Sequence, residues 1–343
     1  MMRLPPFRYH APPTLAAAAD LLAGAGPEAM LLSGGTDLLP NMKRRQQVPR
    51  TLIALRQVKD LSRSFPGGQP RLGAGLTLTA LVRNPRIRRQ YGALWQAAVQ
   101  IATPHLRNMG TLGGNLCLDT RCHYYDQSFD WRRAIGFCLK KDGGTCWVAP
   151  GSSICLAVSS TDTAPALMAL GGRVRLVSRA GERELPLRDF YRNDGIRFLT
   201  RRPDEILTEV LLERPDGWRS TYWKVRRRGA FDFPVLSVAA AARFGKQGVV
   251  EEARVVLGAV AMQPLECREA AAALSGRALT QDAIQEAATL AARRAKPMDN
   301  TDLVLHWRKK MAHHLVAYAL RELRGDDMIA LRRRIARHDL IPV

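Results

Sequence analysis

LLSGGTDLLPNMKRR, residues 31–45, is the most informative stretch of this 343-residue sequence. Its apolar start predicts a short buried strand, and Ser33-Gly34-Gly35-Thr36-Asp37 predicts a tight turn before an amphipathic segment. Glycines let the backbone of such a turn approach a ligand, and successive amides donate hydrogen bonds that suit a phosphate or diphosphate. We expect Asp37 to hold the turn rather than to contact a phosphate. The motif is neither GxGxxG nor a P-loop, so a plain β-turn explains it equally well.

Two further loops carry glycine and polar residues of the same kind. Thr111-Leu112-Gly113-Gly114-Asn115 follows the segment ATPHLRNMG and adds polar side chains to the glycine amides. Asp162 precedes an apolar helix predicted at 166–170, where an N-cap is the alternative role for an aspartate. Together the three loops predict a cofactor site assembled from several segments of the chain.

The rest of the sequence alternates strands and helices, without an internal repeat. In a glycine-rich first part, strands are predicted at 29–32 and 51–55 and a helix at 93–102. After a turn at 213–217, the pattern predicts strands at 222–225, 235–244 and 253–262 and helices at 269–274, 281–294 and 303–323. We therefore place a domain boundary near residue 217, with an α+β domain behind it.

A formal net charge of +21 raises the possibility of nucleic-acid binding. The basic runs at 43–45, 226–228 and 332–334 are scattered, however, and no recognition motif accompanies them. A solvated basic surface that docks acidic protein partners is the favoured interpretation. The sequence opens without a secretory leader and contains no run of roughly 18 apolar residues, so we expect a cytoplasmic protein that does not enter a membrane.

Five of the six cysteines lie between Cys117 and Cys155. Disulfides, a zinc site and an iron-sulfur cluster are the three interpretations. Clustered thiols in the cytoplasm hold metal more often than they form disulfides. The spacing Cys122-x15-Cys138-x7-Cys146-x8-Cys155 lacks the short C-x2-C knuckle typical of structural zinc. A cluster with four thiolate ligands accepts cysteines from separate loops.

Three motifs in order, LLSGGTDLLPNMKRR, ATPHLRNMGTLGGNL and STDTAPALMALGG, resemble the FAD-binding subunits of the molybdenum hydroxylase family, which includes xanthine and carbon monoxide dehydrogenases. KVRRRGAFDFPVLSVAAAA, residues 224–242, is similar to the C-terminal flavoprotein domain of that family. The resemblance implies an α+β chain with a two-part FAD-binding fold of the PCMH/VAO type at 1–217. A CO-dehydrogenase-flavoprotein-like domain with a three-stranded antiparallel sheet is implied at 218–325, followed by a C-terminal tail at 326–343.

The resemblance also implies which residues contact FAD. The first glycine turn would cradle the diphosphate, the second would add contacts, and one aspartate, one lysine and two apolar residues would complete the site. The implied contacts are Leu31, Leu32, Ser33, Gly34, Gly35, Thr36, Asp37, Leu38, Ile101, Thr111, Leu112, Gly113, Gly114, Asn115, Asp162, Leu207 and Lys224.

An insertion at about 117–158 holds the clustered cysteines. In the family the aspartate motif closely follows the second glycine turn, whereas here 46 residues separate Asn115 from Asp162. Such an insertion resembles the flavoprotein subunits of 4-hydroxybenzoyl-CoA reductases, which carry an extra [4Fe-4S] cluster. The resemblance implies that Cys122, Cys138, Cys146 and Cys155 are its ligands and that Cys117 packs near FAD. We expect basic and aromatic residues to cover the cluster: Arg121, Trp131, Arg132, Lys140, Lys141 and Trp147.

The implied function is electron transfer. Reduced ferredoxin would supply electrons, which would pass through the cluster and FAD to a [2Fe-2S] small subunit and a molybdopterin-binding large subunit in a dimer of heterotrimers. The reaction would be the reductive dehydroxylation of 4-hydroxybenzoyl-CoA to benzoyl-CoA, with no catalytic residue on this chain. The alternative is the same flavoprotein in a xanthine or CO dehydrogenase-type hydroxylase, with zinc or no metal in the insertion.

Overall fold

The computed structural model describes residues 3–229 and 231–336, and a parallel three-stranded sheet comes first along the chain. Its strands lie in the order β1-β3-β2. The elements are β1 (Arg8–His10), α1 (Leu15–Ala25), β2 (Ala29–Leu32), α2 (Leu38–Lys43) and β3 (Thr51–Ala54). The first glycine turn therefore follows the carboxyl end of a parallel strand, which is where open α/β sheets bind ligands.

The second sheet is antiparallel and has the order β4-β7-β5-β6. Its strands are β4 (Arg71–Gly73), β5 (Arg173–Ser178), β6 (Gly181–Pro186) and β7 (Ile206–Leu211). The helices of this part are α3 (Leu78–Arg83), α4 (Pro85–Gln90), α5 (Gly92–Val99), α6 (Pro104–Arg107), α7 (Leu112–Leu116), α8 (Phe129–Ala134) and α9 (Thr163–Ala169). Leu94, Leu167, Val174 and Val210 are fully buried in the core that these elements share.

The third sheet is antiparallel with the order β11-β10-β9-β8. Its strands are β8 (Trp218–Val225), β9 (Leu236–Phe244), β10 (Val250–Gly258) and β11 (Leu265–Glu266), and α10 (Arg268–Ala272), α11 (Gln281–Arg294), α12 (Leu305–Arg324) and α13 (Ile329–Ala336) follow. The expected three-stranded sheet thus has a fourth, two-residue strand. The strand predicted at 253–262 ends early, because Ala259 has a positive φ of 60° that leaves the extended conformation.

Both faces of the third sheet are covered by helices. Helices α5 and α9 pack on one face, and α11 and α12 belong to the hydrophobic core on the other. This packing brings β8 beside the loop that precedes α9. The predicted tail 326–343 contains α13, and residues 337–343 lie outside the described part. No helix within 3–229 and 231–336 is long and apolar enough to cross a membrane.

The insertion is closed at its base. The backbones of Arg121 and Val158 pair through two hydrogen bonds, Arg121 N to Val158 O at 2.8 Å and Val158 N to Arg121 O at 2.7 Å. The C-terminal domain also holds it, because the Asn300 side-chain amide donates to Leu156 O at 2.5 Å and the His123 amide donates to Asn300 O at 3.0 Å. These contacts fix the backbone beside Cys122 and Cys155.

Candidate functional site

A cleft of about 850 Å³ is lined by β2, the two glycine turns and the loops before β7 and β9. Its volume lies within the range of small-molecule and cofactor sites. Three of the predicted contacts do not line it: Leu32 and Leu112 pack into hydrophobic clusters, and Lys224 lies behind Asp162. The predicted residues that line it are Leu31, Ser33, Gly34, Gly35, Thr36, Asp37, Leu38, Ile101, Thr111, Gly113, Gly114, Asn115, Asp162 and Leu207.

The two glycine turns are in direct contact. The hydroxyl oxygens of Ser33 and Thr111 are 2.8 Å apart and share a hydrogen bond. A Cβ atom at Gly34 would collide with the Met109 carbonyl group and lie 2.9 Å from the Gly110 Cα atom. Gly34 is therefore required for the close approach of the two turns, and Gly35 is required for its positive φ of 72°.

Unpaired backbone amides mark the first turn. Within the described chain, the amides of Gly34, Gly35 and Thr36 donate to no protein acceptor, although all three residues line the cleft. Gly34 and Gly35 are half-buried and Thr36 is exposed, so these amides are free to donate hydrogen bonds to a ligand or to solvent. A diphosphate supplies several anionic oxygens that accept hydrogen bonds from successive backbone amides. The turn therefore fits the FAD diphosphate.

Asp37 holds the first turn in place. Its carboxylate accepts a hydrogen bond from the Asn41 side chain at 3.0 Å and forms an ion pair with Arg121, whose guanidinium also reaches Asp126 at 3.3 Å. Arg121 lies over the ring of Phe233, 4.7 Å from its centroid. Arg121 was expected to cover the cysteines, but its contacts instead connect the insertion to the cofactor turn.

Asp162 forms a buried ion pair. Its carboxylate lies 3.0 Å from Lys224 Nζ and accepts a hydrogen bond from the Tyr222 hydroxyl at 2.6 Å. Burial raises the pKa of Asp162 and lowers that of Lys224, and the opposite charge of each partner counteracts the other's shift. Asp162 occupies the N-cap position of α9, but its side chain makes no capping hydrogen bond there, so its carboxylate is used in the ion pair instead.

Asn115, the last residue of the second glycine turn, caps the start of α9 in place of Asp162. Its Oδ1 atom accepts hydrogen bonds from the Thr163 amide at 3.0 Å, the Thr163 hydroxyl at 2.6 Å and the Thr161 hydroxyl at 2.9 Å. The start of α9 is thereby tied to the turn at 111–115. This arrangement keeps Asp162 at the cleft beside both turns.

Sequence reasoning missed one wall of the cleft. Residues 196–203, which we call the strap, all line it, together with the segment 231–233. The strap belongs to the connection between Pro186 and Ile206, which contains only one short 3₁₀ turn at Leu187–Phe190 in this part of the chain. Long irregular connections in compact domains are commonly functional, and that length is the signal that identifies the strap.

The four cysteines of the predicted ligand set converge. Cys122, Cys138, Cys146 and Cys155 are buried and line one small cavity, which we call the thiol cavity, while Cys117 lies at the cleft. Burial raises the pKa of Cys122 to about 12 and that of Cys155 to about 11. All six cysteines are free thiols, so no disulfide forms among them. Across residues 3–229 and 231–336, no three His, Cys, Asp or Glu side chains are grouped closely enough to hold a metal ion.

The residues expected to cover this cavity divide into two groups. Lys140 and Trp147 line it directly. Arg132 is buried and donates to Arg44 O at 2.8 Å, and Trp131 is an exposed side chain of α8. Lys141 pairs with its neighbour Asp142 at 3.1 Å. The cover is therefore made by one lysine and one tryptophan among these candidates.

Comparisons with known proteins agree with this geometry. Residues 5–214 match the family described as the FAD binding domain in molybdopterin dehydrogenase, and residues 220–323 match the CO dehydrogenase flavoprotein C-terminal domain. The chain is an FAD-binding subunit of the molybdenum hydroxylase family.

Individual relatives cover most of this family member. The aldehyde oxidoreductase FAD-binding subunit PaoB of Escherichia coli K12 is 33% identical over 269 residues, which are 76% of this chain and 83% of PaoB. The carbon monoxide dehydrogenase medium chain of Afipia carboxidovorans is 29% identical and covers 89% of this chain and 92% of its own length. A crystal structure of the cyanide-inactivated Cu,Mo-CO dehydrogenase aligns with a TM-score of 0.78 and 27% identity, over 94% of this chain and 99% of that one. The α+β flavoprotein fold predicted from the sequence is thus confirmed.

Proposed function

We propose that this subunit holds FAD in the cleft and passes electrons between the flavin and the partner subunits of a molybdenum hydroxylase. The row of unpaired amides at Gly34, Gly35 and Thr36 carries the proposal. The names of relatives support it, since they include FAD-binding subunits of an aldehyde oxidoreductase and of a nicotinate dehydrogenase. We propose a molybdopterin-binding large subunit and a [2Fe-2S] small subunit as the partners.

FAD would supply two-electron storage with release of single electrons. In this proposal the amides of the first turn bind the diphosphate, and Ile101 and Leu207 give the cleft apolar walls. The Asp162 carboxylate, held by Tyr222 and Lys224, offers a fixed acceptor for an N–H group of the cofactor. The chain's own contribution is therefore to bind and orient the cofactor.

The flavin content of the purified complex tests this function. The subunit is coexpressed with its partner subunits, and FAD is released by denaturation and quantified by absorbance. We expect about one FAD per chain, as for a single cleft of this size. A complex that contains no FAD, and takes up none when FAD is added, contradicts the proposal.

We further infer a finer function from the thiol cavity, namely a [4Fe-4S] cluster of the 4-hydroxybenzoyl-CoA reductase kind with reduced ferredoxin as donor. Four buried thiols around one cavity support it. A zinc ion held by these four cysteines alone would need all four sulfur atoms about 2.3 Å from one point. A four-iron cluster is held by four cysteine thiolates, one on each iron, and Cys122, Cys138, Cys146 and Cys155 are the four cysteines that line the thiol cavity.

Metal analysis separates this finer function from the hydroxylase alternative. Iron, acid-labile sulfide, zinc and FAD are measured on complex purified without oxygen. We expect about four irons per chain in the wild type and in Cys117→Ser, but little iron and normal FAD in Cys122→Ser. Zinc in place of iron, or no metal, contradicts the cluster and favours a xanthine or CO dehydrogenase-type hydroxylase.

A further inference from the structure

A polar wall separates the cleft from the thiol cavity. Asp119 lines the cleft, whereas Lys140 and Tyr125 line the thiol cavity. Lys140 Nζ lies 2.8 Å from Asp119 Oδ1, and the Tyr125 hydroxyl donates to Asp119 Oδ2 at 3.0 Å. The Asp119 carboxylate therefore lines the cleft and also contacts two residues of the thiol cavity.

The charged side chains of this wall are buried and hydrogen-bonded. The side chains of Lys140 and Asp119 are 6% and 9% exposed, so water screens their charges poorly. Lys140 also donates to the Thr120 hydroxyl and to Gly195 O, both at 2.6 Å, which uses all three of its N–H groups. The ammonium position is consequently fixed.

Aromatic rings extend the contact toward both sites. Lys140 Nζ lies 4.8 Å from the centre of the Tyr125 ring and 5.6 Å from that of Phe198. Phe198 belongs to the strap and lines the cleft. Gly195, which accepts from Lys140, packs so closely on Cys155 that a Cβ atom would lie 2.8 Å from its Sγ atom. The lysine thus contacts groups that belong to each site.

We propose that Lys140 and Asp119, from within the insertion, act on the reduction potential of the flavin as a balanced charge pair, in which each charge offsets the effect of the other. The proposal rests on FAD binding in the cleft and does not require a metal in the insertion. A reduced flavin gains negative charge, which a nearby ammonium stabilises and a nearby carboxylate destabilises. In the intact pair the two effects largely cancel, so loss of either partner exposes the other.

The proposal predicts that the two single variants shift the midpoint potential of the flavin in opposite directions. The midpoint potential of bound FAD is measured by redox titration of the whole complex, with flavin absorbance as the readout. Lys140→Met is expected to lower the potential, Asp119→Asn to raise it, and the double variant to return close to the wild type. Arg133→Met removes an exposed charge that is paired with Asp130 in the same insertion, and is expected to change nothing. Shifts of one sign in both single variants, or no shift, overturn the proposal.

Lys140→Arg keeps the charge and checks for a merely steric effect. We expect its potential to stay near that of the wild type, and a shift as large as that of Lys140→Met contradicts an electrostatic role. If Lys140→Met does not fold, Asp119→Asn and Lys140→Arg still give opposed expectations, a rise and no change. Absence of FAD from the wild-type complex refutes the proposed function itself, whereas bound FAD with unshifted potentials refutes only the role of this pair.

Discussion

The ammonium of Lys224 lies 3.0 Å from Asp162 Oδ1, and the two side chains are 0% and 4% exposed. Lys224 comes from β8 in the C-terminal domain, and Asp162 lies before α9. The pair therefore joins the two family domains at the edge of the cleft. Removing one partner of such a buried pair lowers the stability of the protein, because the other charge stays unpaired in the interior.

Asp162→Asn should destabilise the protein and weaken FAD binding. The uncompensated Lys224 charge is expected to lower the free energy of unfolding by about 3–5 kcal/mol, measured by urea denaturation. Adding Lys224→Met should restore part of that stability without restoring the flavin content, because the charge is removed but the carboxylate is not returned. An Asp162→Asn variant as stable as the wild type would show that the pair is not maintained in solution.

Gly34→Ala should disrupt the contact between the glycine turns. Its methyl group would collide with the Met109 carbonyl group and approach Gly110, so we expect a loss of about 1–3 kcal/mol and of most bound FAD. Gly24→Ala is the matched control, because Gly24 lies in α1 with no atom near the added carbon. That change should leave FAD bound and stabilise the helix by about 0.5–1 kcal/mol. Equal flavin content in both variants would contradict this role of Gly34.

Gly195→Ala should open the thiol cavity beside Cys155. The added methyl group would lie 2.8 Å from Cys155 Sγ and 2.8 Å from the Ala157 amide nitrogen, so Cys155 must move. In metal-free protein we expect faster labelling of thiols by a chromogenic disulfide reagent than in the wild type. Gly144→Ala, in the same insertion with open space around it, should label at the wild-type rate. Unchanged labelling of Gly195→Ala would mean that the packing of Gly195 does not restrain Cys155.

Glu322 should make stability depend on pH. Burial alone would raise its pKa, but hydrogen bonds from Arg332, Thr221 and Trp223 lower the pKa below the usual value. A carboxylate with a lowered folded-state pKa stabilises the protein above the unfolded pKa, and this contribution is lost as the pH falls through the folded value. Glu322→Gln should therefore cost about 1–3 kcal/mol at pH 7 and progressively less in acid, measured by denaturation across pH. A deficit that is constant with pH would contradict this assignment.

Regular elements were predictable where the sequence pattern was long. The predicted helix 281–294 is confirmed as α11 with the same bounds, because its apolar face repeats with helical period and Thr280 caps its start. The strand 235–244 differs from β9 by one residue at its start. Strand β11 has two residues and depends on pairing with β10, which no local pattern records.

Site residues could be predicted where the backbone itself requires a residue type, as at the glycines. They could not be predicted where contacts with distant segments decide the role of the side chain. Glycines at a close approach are informative in any sequence, which is why both turns were found. Asp162 and Arg121 find their ion-pair partners in distant segments, so neither the pair with Lys224 nor the contact with Asp37 follows from local sequence. The strap was missed because irregular loops have no periodicity.

The paired backbones of Arg121 and Val158 have a consequence for how the insertion can be engineered. The intervening residues begin and end at neighbouring points of the backbone, so they can be replaced by a short turn while Arg121 and Val158 stay paired. A two-residue Asn-Gly hairpin would span the same gap. The cysteine-bearing segment is therefore a natural unit for a deletion variant, in which the two flanking loops stay joined at the same point.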